Sequence, residues 1–324
     1  MTLRTLAKYA GCSVSTVSKA FSYSKEISEE LRERIFSIAK ELGCYDKYRK
    51  DDYAKKVVAV LCPETGSAYY TEILSHLHAL IEKRNATISI SVTDFSAEKE
   101  EELIGFYSSN RRADGLIVIN GRVEAKQYPP IPIVYLGEQK GPFGDCVKTD
   151  IYSGICEGVY LFKTNGHTRI GFIGENLTRG KEKYFREAMR YYGMSVEEEL
   201  IVRSDKRFEE AGREGMSRLL TLPEPPTAIM CAYDYIAFGA IEEAEKRGVN
   251  VPEDLSVIGM DDIKQSAQFK VPLTSVNSQT EESCRSAVEQ LFKKIDNPYY
   301  CCMQKTETRS KLTHRASVAR CTGK

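Results

Sequence analysis

The chain has 324 residues, too many for one small helical domain and enough for one or two further units with sizeable cores, and it has no uncharged apolar run of about 18 residues that would make a membrane-spanning helix. Its 46 Lys and Arg balance its 46 Asp and Glu, yet residues 1–56 hold 12 basic against 8 acidic side chains, so a basic excess gathers at the N-terminal end. That distribution excludes neither an enzyme nor a binding protein, but it points the first 56 residues toward a polyanion.

The first predicted element is a short amphipathic helix, with Thr2 in a capping position and Leu3, Leu6, Ala7 and Ala10 at helical spacing, ending at Gly11. A tight turn then leads to Ser13, which has the position of an N-cap for a second helix. Val17, Ala20 and Phe21 form its apolar face, which leaves Val14, Ser15, Ser18 and Lys19 on the outward side. A third helix follows Ser28, with Leu31, Ile35, Ile38, Ala39 and Leu42 in register and Gly43 as its stop. This is the layout of a helix-turn-helix unit, although helical spacing alone would equally serve a three-helix domain that touches no DNA.

The residues 3–19, LRTLAKYAGCSVSTVSK, resemble the headpiece of the lac repressor (LacI/GalR) family, whose pattern is A-x-x-A-G-V-S-x-x-T-V-S-R. The likeness continues through residues 27–35, ISEELRERI, against V-S-x-x-T-R-x-R-V. Cys12 stands where Val is usual and Lys19 where Arg is usual. Lys is a point-charge donor rather than a planar fork, so a guanine contact from it is read less strictly. The resemblance implies sequence-specific binding to a pseudopalindromic operator by two headpieces. Val14, Ser15 and Lys19 are the expected base readers, and Thr5, Ser13, Thr16 and Ser18 are short donors for phosphates. Plainer readings stand beside these: Ser13 as a cap, Ser18 as a solvated face, Lys19 as a phosphate contact.

Residues 44–56 are highly charged and without a hydrophobic stripe, and read as a linker. The family carries a Pro-Asn step and a hinge helix here, with a leucine wedged into the minor groove. Neither feature is present, and Tyr53 falls nearest the wedge position. Residues 1–45 are thus expected to form the DNA-binding domain and 46–56 the linker.

From residue 57 the pattern alternates between strands and helices. Strands are predicted at 57–62, 87–92, 115–119 and 133–136, with helices carrying Ile73, Leu74, Leu77, Leu80 and Ile81 and covering 98–107. A second series follows: helix 152–163, strand 170–173, helices 181–192 and 209–220, strand 228–231, helix 237–247 and strand 255–259. Two open α/β sheets side by side make a cleft beyond the carboxyl ends of their strands.

The same family resemblance covers this region. Residues 166–174 (GHTRIGFIG) match G-H-x-x-I-x-x-I-x, and Pro226, Thr227, Ala228 and Ile229 with Asp234, Ala237 and Gly239 match P-T-A-I-x-x-x-N-D-x-x-A-x-G. Residues 251–262 match V-P-x-D-x-x-V-x-G-x-D-D, 272–276 (PLTSV) resemble P-L-T-T-V, and Arg315 and Ser317 resemble the closing x-R-x-S of the last strand. The implied fold is a periplasmic-binding-protein-like sensor of two Rossmann-like subdomains spanning 57–324, linked by three crossovers. One subdomain is expected at about 57–163 and 280–308, the other at about 164–279 and 309–324. A homodimer built through the sensor is also implied.

The resemblance places Tyr69, Lys181, Tyr233 and Asp261 on the cleft as effector-binding residues, with Asp261 accepting hydrogen bonds from sugar hydroxyls. Lys181 replaces Arg, Tyr233 replaces Asn, and Gly137 stands where sugar-binding members often have Asp. The implied effector is a sugar or sugar derivative; the three departures weigh against a plain hexose, and Lys181 with the missing acid at Gly137 favours a phosphorylated or carboxylated compound. Asp150 and Asp234 read as helix caps and His167 as a packed turn histidine. No G-x-S-x-G, Walker loop or other catalytic or cofactor signature occurs, so a regulator rather than an enzyme is expected, with a sensor that responds to a protein partner or is ligand-independent as the alternative to a ligand-responsive one. The ten cysteines form no CxxC, Cys301 and Cys302 lack the partners of a zinc site, and His76 and His78 diverge on a helix, so no metal is expected. With no apolar leader after Met1, a cytoplasmic protein with reduced thiols, mostly packed as small hydrophobes, is the expectation.

Overall fold

Side-chain caps set the start of each N-terminal helix. Thr2 accepts from the Thr5 amide at 3.3 Å and opens α1 (Leu3–Ala10), Ser13 accepts from Thr16 at 3.0 Å and opens α2 (Val14–Phe21), and Ser28 accepts from Leu31 at 3.3 Å and opens α3 (Glu29–Glu41). Each such cap is worth about 1 kcal/mol. Gly11, at φ +64°, makes the left-handed turn that brings α2 across α1. The computed structural model describes residues 2–22, 24, 26–48, 55–108, 112–124, 131–137, 139, 141, 143–297 and 299–322, and its contacts divide the chain into two units, Met1–Lys56 and Val57–Lys324.

In the first unit, Leu6, Ala7, Ala10, Val17, Ala20, Phe21, Ile35 and Ala39 share one core. The linker begins later than its charge suggests. Cys44 and Tyr45 are buried in that core, Tyr45 lies 5.1 Å from Phe36 in an edge-on ring contact, and Tyr45–Tyr48 forms a fourth helix, α4. Residues 49–54, Tyr53 among them, lie outside the described residues.

The second unit contains two six-stranded sheets. Strands β1 (Lys56–Cys62), β2 (Ala86–Val92), β3 (Gly115–Ile119), β4 (Ile133–Leu136), β5 (Asp145–Asp150) and β11 (Lys305–Arg309) form the first, in the order β11-β5-β4-β3-β1-β2. Strands β6 (Ile170–Glu175), β7 (Ile201–Ser204), β8 (Ala228–Cys231), β9 (Ser256–Met260), β10 (Thr274–Asn277) and β12 (Lys311–Thr313) form the second, in the order β12-β10-β9-β8-β6-β7. The central strands are apolar runs buried along their whole length, as expected of parallel strands covered on both faces. Only the β10–β12 pair is antiparallel among the pairings described.

Helix α5 (Ala68–Glu82) buries Ile73, Leu77 and Ile81 against the first sheet, and α6 (Ala97–Ser108) follows β2. The first sheet regains α12 (Thr280–Asp296), whose Cys284, Ala287, Val288, Leu291 and Phe292 complete the first lobe's core. Helix α7 (Ile151–Thr164) does not belong to that lobe, contrary to the boundary near residue 163 drawn from sequence. Ile155, Val159 and Phe162 lie in the second lobe's core, and a Cβ on Gly158 would come within 2.7 Å of Met230. The lobes therefore divide at Asp150, and α8 (Arg179–Tyr191), α9 (Phe208–Leu219), α10 (Asp234–Lys246) and α11 (Lys264–Gln268) complete the second. The segment matching x-R-x-S lies just past β12 rather than in it, yet Ser317 still ties the sheet, donating to the Val257 carbonyl at 2.6 Å and accepting from the Thr274 amide at 2.8 Å.

Three crossovers join the lobes, at Asp150, between Asn277 and Thr280, and at Ser310. Ser310 Oγ donates to the Asp150 carbonyl at 2.6 Å and accepts from the Gly154 amide at 2.9 Å, while Thr149 Oγ1 donates to the Ser278 carbonyl at 3.3 Å. Five of the ten cysteines are buried and only Cys301 and Cys302 are exposed. Helices α9 and α10 cross backbone to backbone: a Cβ on Gly239 would fall 2.0 Å from the Glu209 carbonyl oxygen, and one on Gly212 2.0 Å from that of Ile236. Neither neighbour is a side chain that can swing aside. Gly239→Ala is therefore expected to lower the stability of the second unit by about 3 kcal/mol or more, read as a fall in the urea midpoint, with exposed Gly193→Ala-type turn changes affecting only their own local strain.

Candidate functional site

Two sites follow from this architecture, one on each unit. On the first unit, α2 carries Val14 (39% exposed), Ser15 and Ser18 outward, while Val17, Ala20 and Phe21 face the core. The short donors are partly engaged within the unit: the Ser13 and Thr16 hydroxyls lie 2.8 Å apart, and those of Thr2 and Thr5 3.0 Å apart. Lys19 is ion-paired with Glu26, a contact between two well-exposed side chains. Arg32, which the sequence pattern gave no role, is buried and clasps the loop after α2, donating to the Ser24 carbonyl at 2.8 Å and the Ile27 carbonyl at 3.2 Å. Tyr9, 62% exposed on α1, is a second surface feature that helical periodicity did not single out.

On the second unit, the four cleft candidates come together at the strand ends. Lys181, in the first turn of α8, donates to Asp261 Oδ1 at 3.0 Å and to the Ala232 carbonyl at 2.8 Å, and its ammonium lies 6.0 Å from the centre of the Tyr233 ring. Asp261 follows β9 with φ +93°, a left-handed turn that sets its side chain on the cleft, only 13% exposed. Tyr233 occupies the N-cap position of α10 and its hydroxyl accepts from the Phe208 amide at 3.0 Å. Burial pushes its phenol up to about 12. Tyr69, on the first lobe, touches the cores of both lobes, and its phenol is raised well above its ordinary value by burial and then by the charge of Asp261.

Gly137 has a backbone reason for its departure from the sugar-binding pattern. At φ +100°, with a Cβ position 2.1 Å from Asn120 Oδ1, it leaves no room for a side chain. Asn120 in turn donates to the Tyr70 hydroxyl at 3.2 Å. The second aspartate of the D-D pair is structural: Asp262 accepts from Asn277 at 2.7 Å and Thr313 at 2.8 Å and pairs with Arg315 at 2.7 Å. Sequence reasoning missed Glu64, Phe95, Arg207 and Phe208. The Arg207 fork meets Glu64 from the opposite lobe, and the guanidinium sits over the rings of Phe95 and Phe208. No local spacing marks such a contact.

His167 is the packed turn histidine expected, with its ring nitrogens bonded to Thr227 and the Ala319 carbonyl. Asp150 does cap α7 through the Ser153 amide. Asp234 is not a cap. It is fully buried behind Asp261 and accepts from the Ile263 amide at 2.9 Å, Ser266 at 2.7 Å and Ser275 at 2.5 Å, tying α10 to the loops after β9 and to β10.

A helix-turn-helix unit followed by a hinged, two-lobed α/β unit with a charged and aromatic cleft is the architecture of a DNA-binding transcription regulator with a ligand-sensor fold. Residues 2–45 match the model of bacterial regulatory proteins of the lacI family, and residues 159–318 match that of the periplasmic binding protein-like domain. The chain belongs to the lacI family and is a regulator, not an enzyme. An HTH-type transcriptional repressor PurR of Klebsiella pneumoniae is 29% identical over 336 residues, covering 98% of this chain and 97% of the relative. A PurR repressor of Yersinia pestis is 27% identical over 339 residues, with the same coverage. Among solved structures, the regulator CelR in complex with cellobiose superposes with a TM-score of 0.69 at 24% identity, over 98% of this chain and 99% of that one. The lac repressor dimer bound to operator and the anti-inducer ONPF gives 0.70 at 18% identity, again over 98% and 99%. A regulator from Enterococcus faecium with bound ribose gives 0.71 at 20% identity, over 82% of this chain and all of that one. At these identities the solved structures establish the fold. Among the described residues, no helix is long and apolar enough to cross a membrane.

Burial, and next the charge of Asp261, pushes the Asp234 carboxyl from 3.8 up to about 7. The folded state therefore holds a proton there that the unfolded chain releases, so this group's contribution to stability is complete below about pH 4 and is lost as the pH rises through about 7. The melting temperature of the wild type should accordingly fall relative to that of Asp234→Asn as the pH goes from about 4 to about 7. Differential scanning fluorimetry across that range reads it, and a constant difference between the two proteins would remove Asp234 as the source.

Proposed function

We propose that the chain is a ligand-controlled transcriptional repressor that works in the cytoplasm as a homodimer on a pseudopalindromic operator. The first unit through α4 reads the DNA, the residues from there to 56 link, and 57–324 sense and dimerise. Val14, Ser15 and Lys19 contact base edges in the major groove. Thr5, Ser13, Thr16 and Ser18 contact phosphates, and Tyr53, which falls nearest the family's wedge position in sequence, is the linker's candidate for a minor-groove contact. The PurR relatives, repressors by name, match over almost the whole chain, which supports repression as the sign of control.

The observation that carries the sensing half is the junction of Lys181, Asp261, Tyr233 and Tyr69, drawn from both lobes to the carboxyl ends of the strands. A carboxylate acceptor, an ammonium donor and aromatic rings suit a polyhydroxylated molecule, a sugar or sugar derivative: hydroxyls meet the charges while apolar ring faces meet the tyrosines. Lys181 already has its charge matched by Asp261 at 3.0 Å, which favours a neutral ligand over the phosphorylated or carboxylated one suggested by the Lys-for-Arg change. Solved proteins of the same fold hold ribose and cellobiose, neutral ligands of this class.

Fluorescence anisotropy against duplexes selected from a random pool and against their scrambled versions tests the DNA half. The selected duplexes should bind tighter, with affinity falling steeply in salt. Lys19→Ala should relax specificity at one base position by about 1 to 3 kcal/mol, and Glu26→Gln, which frees Lys19, should tighten binding. Equal affinity for selected and scrambled duplexes would end the operator reading. Titration calorimetry with ribose, cellobiose and a sugar phosphate tests the sensing half. Asp261→Ala should weaken whichever sugar binds by about tenfold or more, because a buried ligand hydroxyl loses its acceptor, while operator binding without effector persists. A sugar phosphate bound in preference to the neutral sugars would reinstate the anionic ligand, and no binding by any of them, with operator binding intact, would favour a sensor that answers to a protein partner or is ligand-independent.

A further inference from the structure

Arg207 stands just before α9 in the second lobe, and Glu64 follows β1 in the first. Arg207 Nη1 donates to Glu64 Oε2 at 2.8 Å and Nη2 to Oε1 at 2.9 Å, a two-pronged pairing of guanidinium and carboxylate across the cleft mouth. The guanidinium carbon lies 5.4 Å from the centre of the Phe95 ring in the first lobe and 4.6 Å from that of Phe208 in its own, so aromatic faces from both lobes hold it. Arg207 Nε makes no hydrogen bond and is 3.9 Å from Glu175 Oε1, so the prongs of the fork are committed to the opposite lobe. The Glu64 side chain is 18% exposed and that of Arg207 35%, so the pair is less screened by solvent than one on the open surface. A second bond between the lobes runs from the Lys264 amide to Glu72 Oε1 at 3.3 Å.

We propose that the Glu64–Arg207 pair is a latch between the lobes, formed only when the strand ends of the two sheets face each other at the present separation. Rotation about the three crossovers that parts the lobes carries Glu64 and Phe95 away from Arg207 together and breaks both of its cross-lobe contacts at once. The latch therefore favours the closed arrangement independently of what the cleft holds. It sets the fraction of molecules already shaped to enclose an effector, and the apparent affinity of any effector scales with that fraction. This regulatory role rests on the reading of the cleft as the effector site, but the latch itself does not.

The chain has no tryptophan, so Phe95→Trp introduces a single emitter beneath Arg207 in the full-length protein. Acrylamide quenching of that emitter reads how open the cleft mouth is. Glu64→Gln leaves Arg207 in place but removes its charge partner, and is expected to raise the quenching constant by about twofold or more. Glu64→Gln with Arg207→Gln should raise it no further than Arg207→Gln alone, because each substitution breaks the same contact. Hydrogen exchange by mass spectrometry, on peptides covering 64–72 and 264–268 of proteins that keep Phe95, gives the same comparison without the reporter. Unchanged quenching and exchange in Glu64→Gln, or effects of the two substitutions that add, would overturn the latch. Neither readout needs operator or effector, so a failed latch leaves the repressor reading intact, and a failed operator test leaves the latch standing.

Discussion

Three chain segments pass side by side between the lobes of the larger unit, and the geometry of that junction decides what every loop at the strand ends can reach. Ser310 is its centre, joined through one hydroxyl to the Asp150 carbonyl before the first crossover and the Gly154 amide after it. Gly154 has no side chain because a Cβ there would press within 2.4 Å of Val276 and 2.7 Å of Ser310. Three strands crossing together allow the lobes to rotate toward each other but resist sliding, so the carboxyl ends of the two sheets stay opposed. Residues as far apart in sequence as Glu64, Lys181, Arg207 and Asp261 meet because of that constraint, rather than through any local spacing.

The charges brought together there are matched in pairs. Lys181 meets Asp261, Arg207 meets Glu64 and Arg315 meets Asp262, while Asp234 behind them carries a raised carboxyl. In so enclosed a setting an unmatched charge would be expensive, and matching leaves hydrogen-bonding capacity without excess charge. The pair between α2 and the loop that follows it is of another kind. Lys19 and Glu26 are both well exposed, and such a pair is worth no more than about 1 kcal/mol. On the proposed reading of the DNA half, a phosphate or a guanine edge takes the place of Glu26 at no more than that cost.

Much of the fold was legible in the sequence because its central strands are apolar runs bounded by polar turns, as at Val58 to Cys62 and Leu116 to Ile119. The polar strands were not. β5 turns hydrophilic after Val147, where it runs into the crossover, and β11, Lys-Thr-Glu-Thr-Arg, is an edge strand of partly exposed side chains with no apolar run to reveal it. The place of α7 was illegible for a different reason: periodicity shows that a helix has an apolar face, not which sheet that face covers. The continuation of the first unit through α4 to Tyr48 was hidden by the charged residues around it. At the cleft, Lys181, Tyr233 and Asp261 could be placed through family motifs. Arg207 and Glu64 could not, since they become partners only across the closed lobes. Asp234 precedes most of α10 and so resembled a cap; its burial, which gives it a different role, is set by residues from 263 to 275 that no local pattern connects to it.

The order of strands also bears on how the protein is made. Chain emerging from the ribosome delivers β1 through β5 first, but the sheet they form lacks the helix that covers Ile117, Val134 and Val147 until α12 arrives at residue 280, and lacks its edge strand β11 until residue 305. The second lobe, by contrast, has nearly all of its core between Ile151 and Val276 and can close around it beforehand. The lobe synthesised first is thus the one that must wait, with apolar sheet surface open to water or to a chaperone, while its neighbour is already formed.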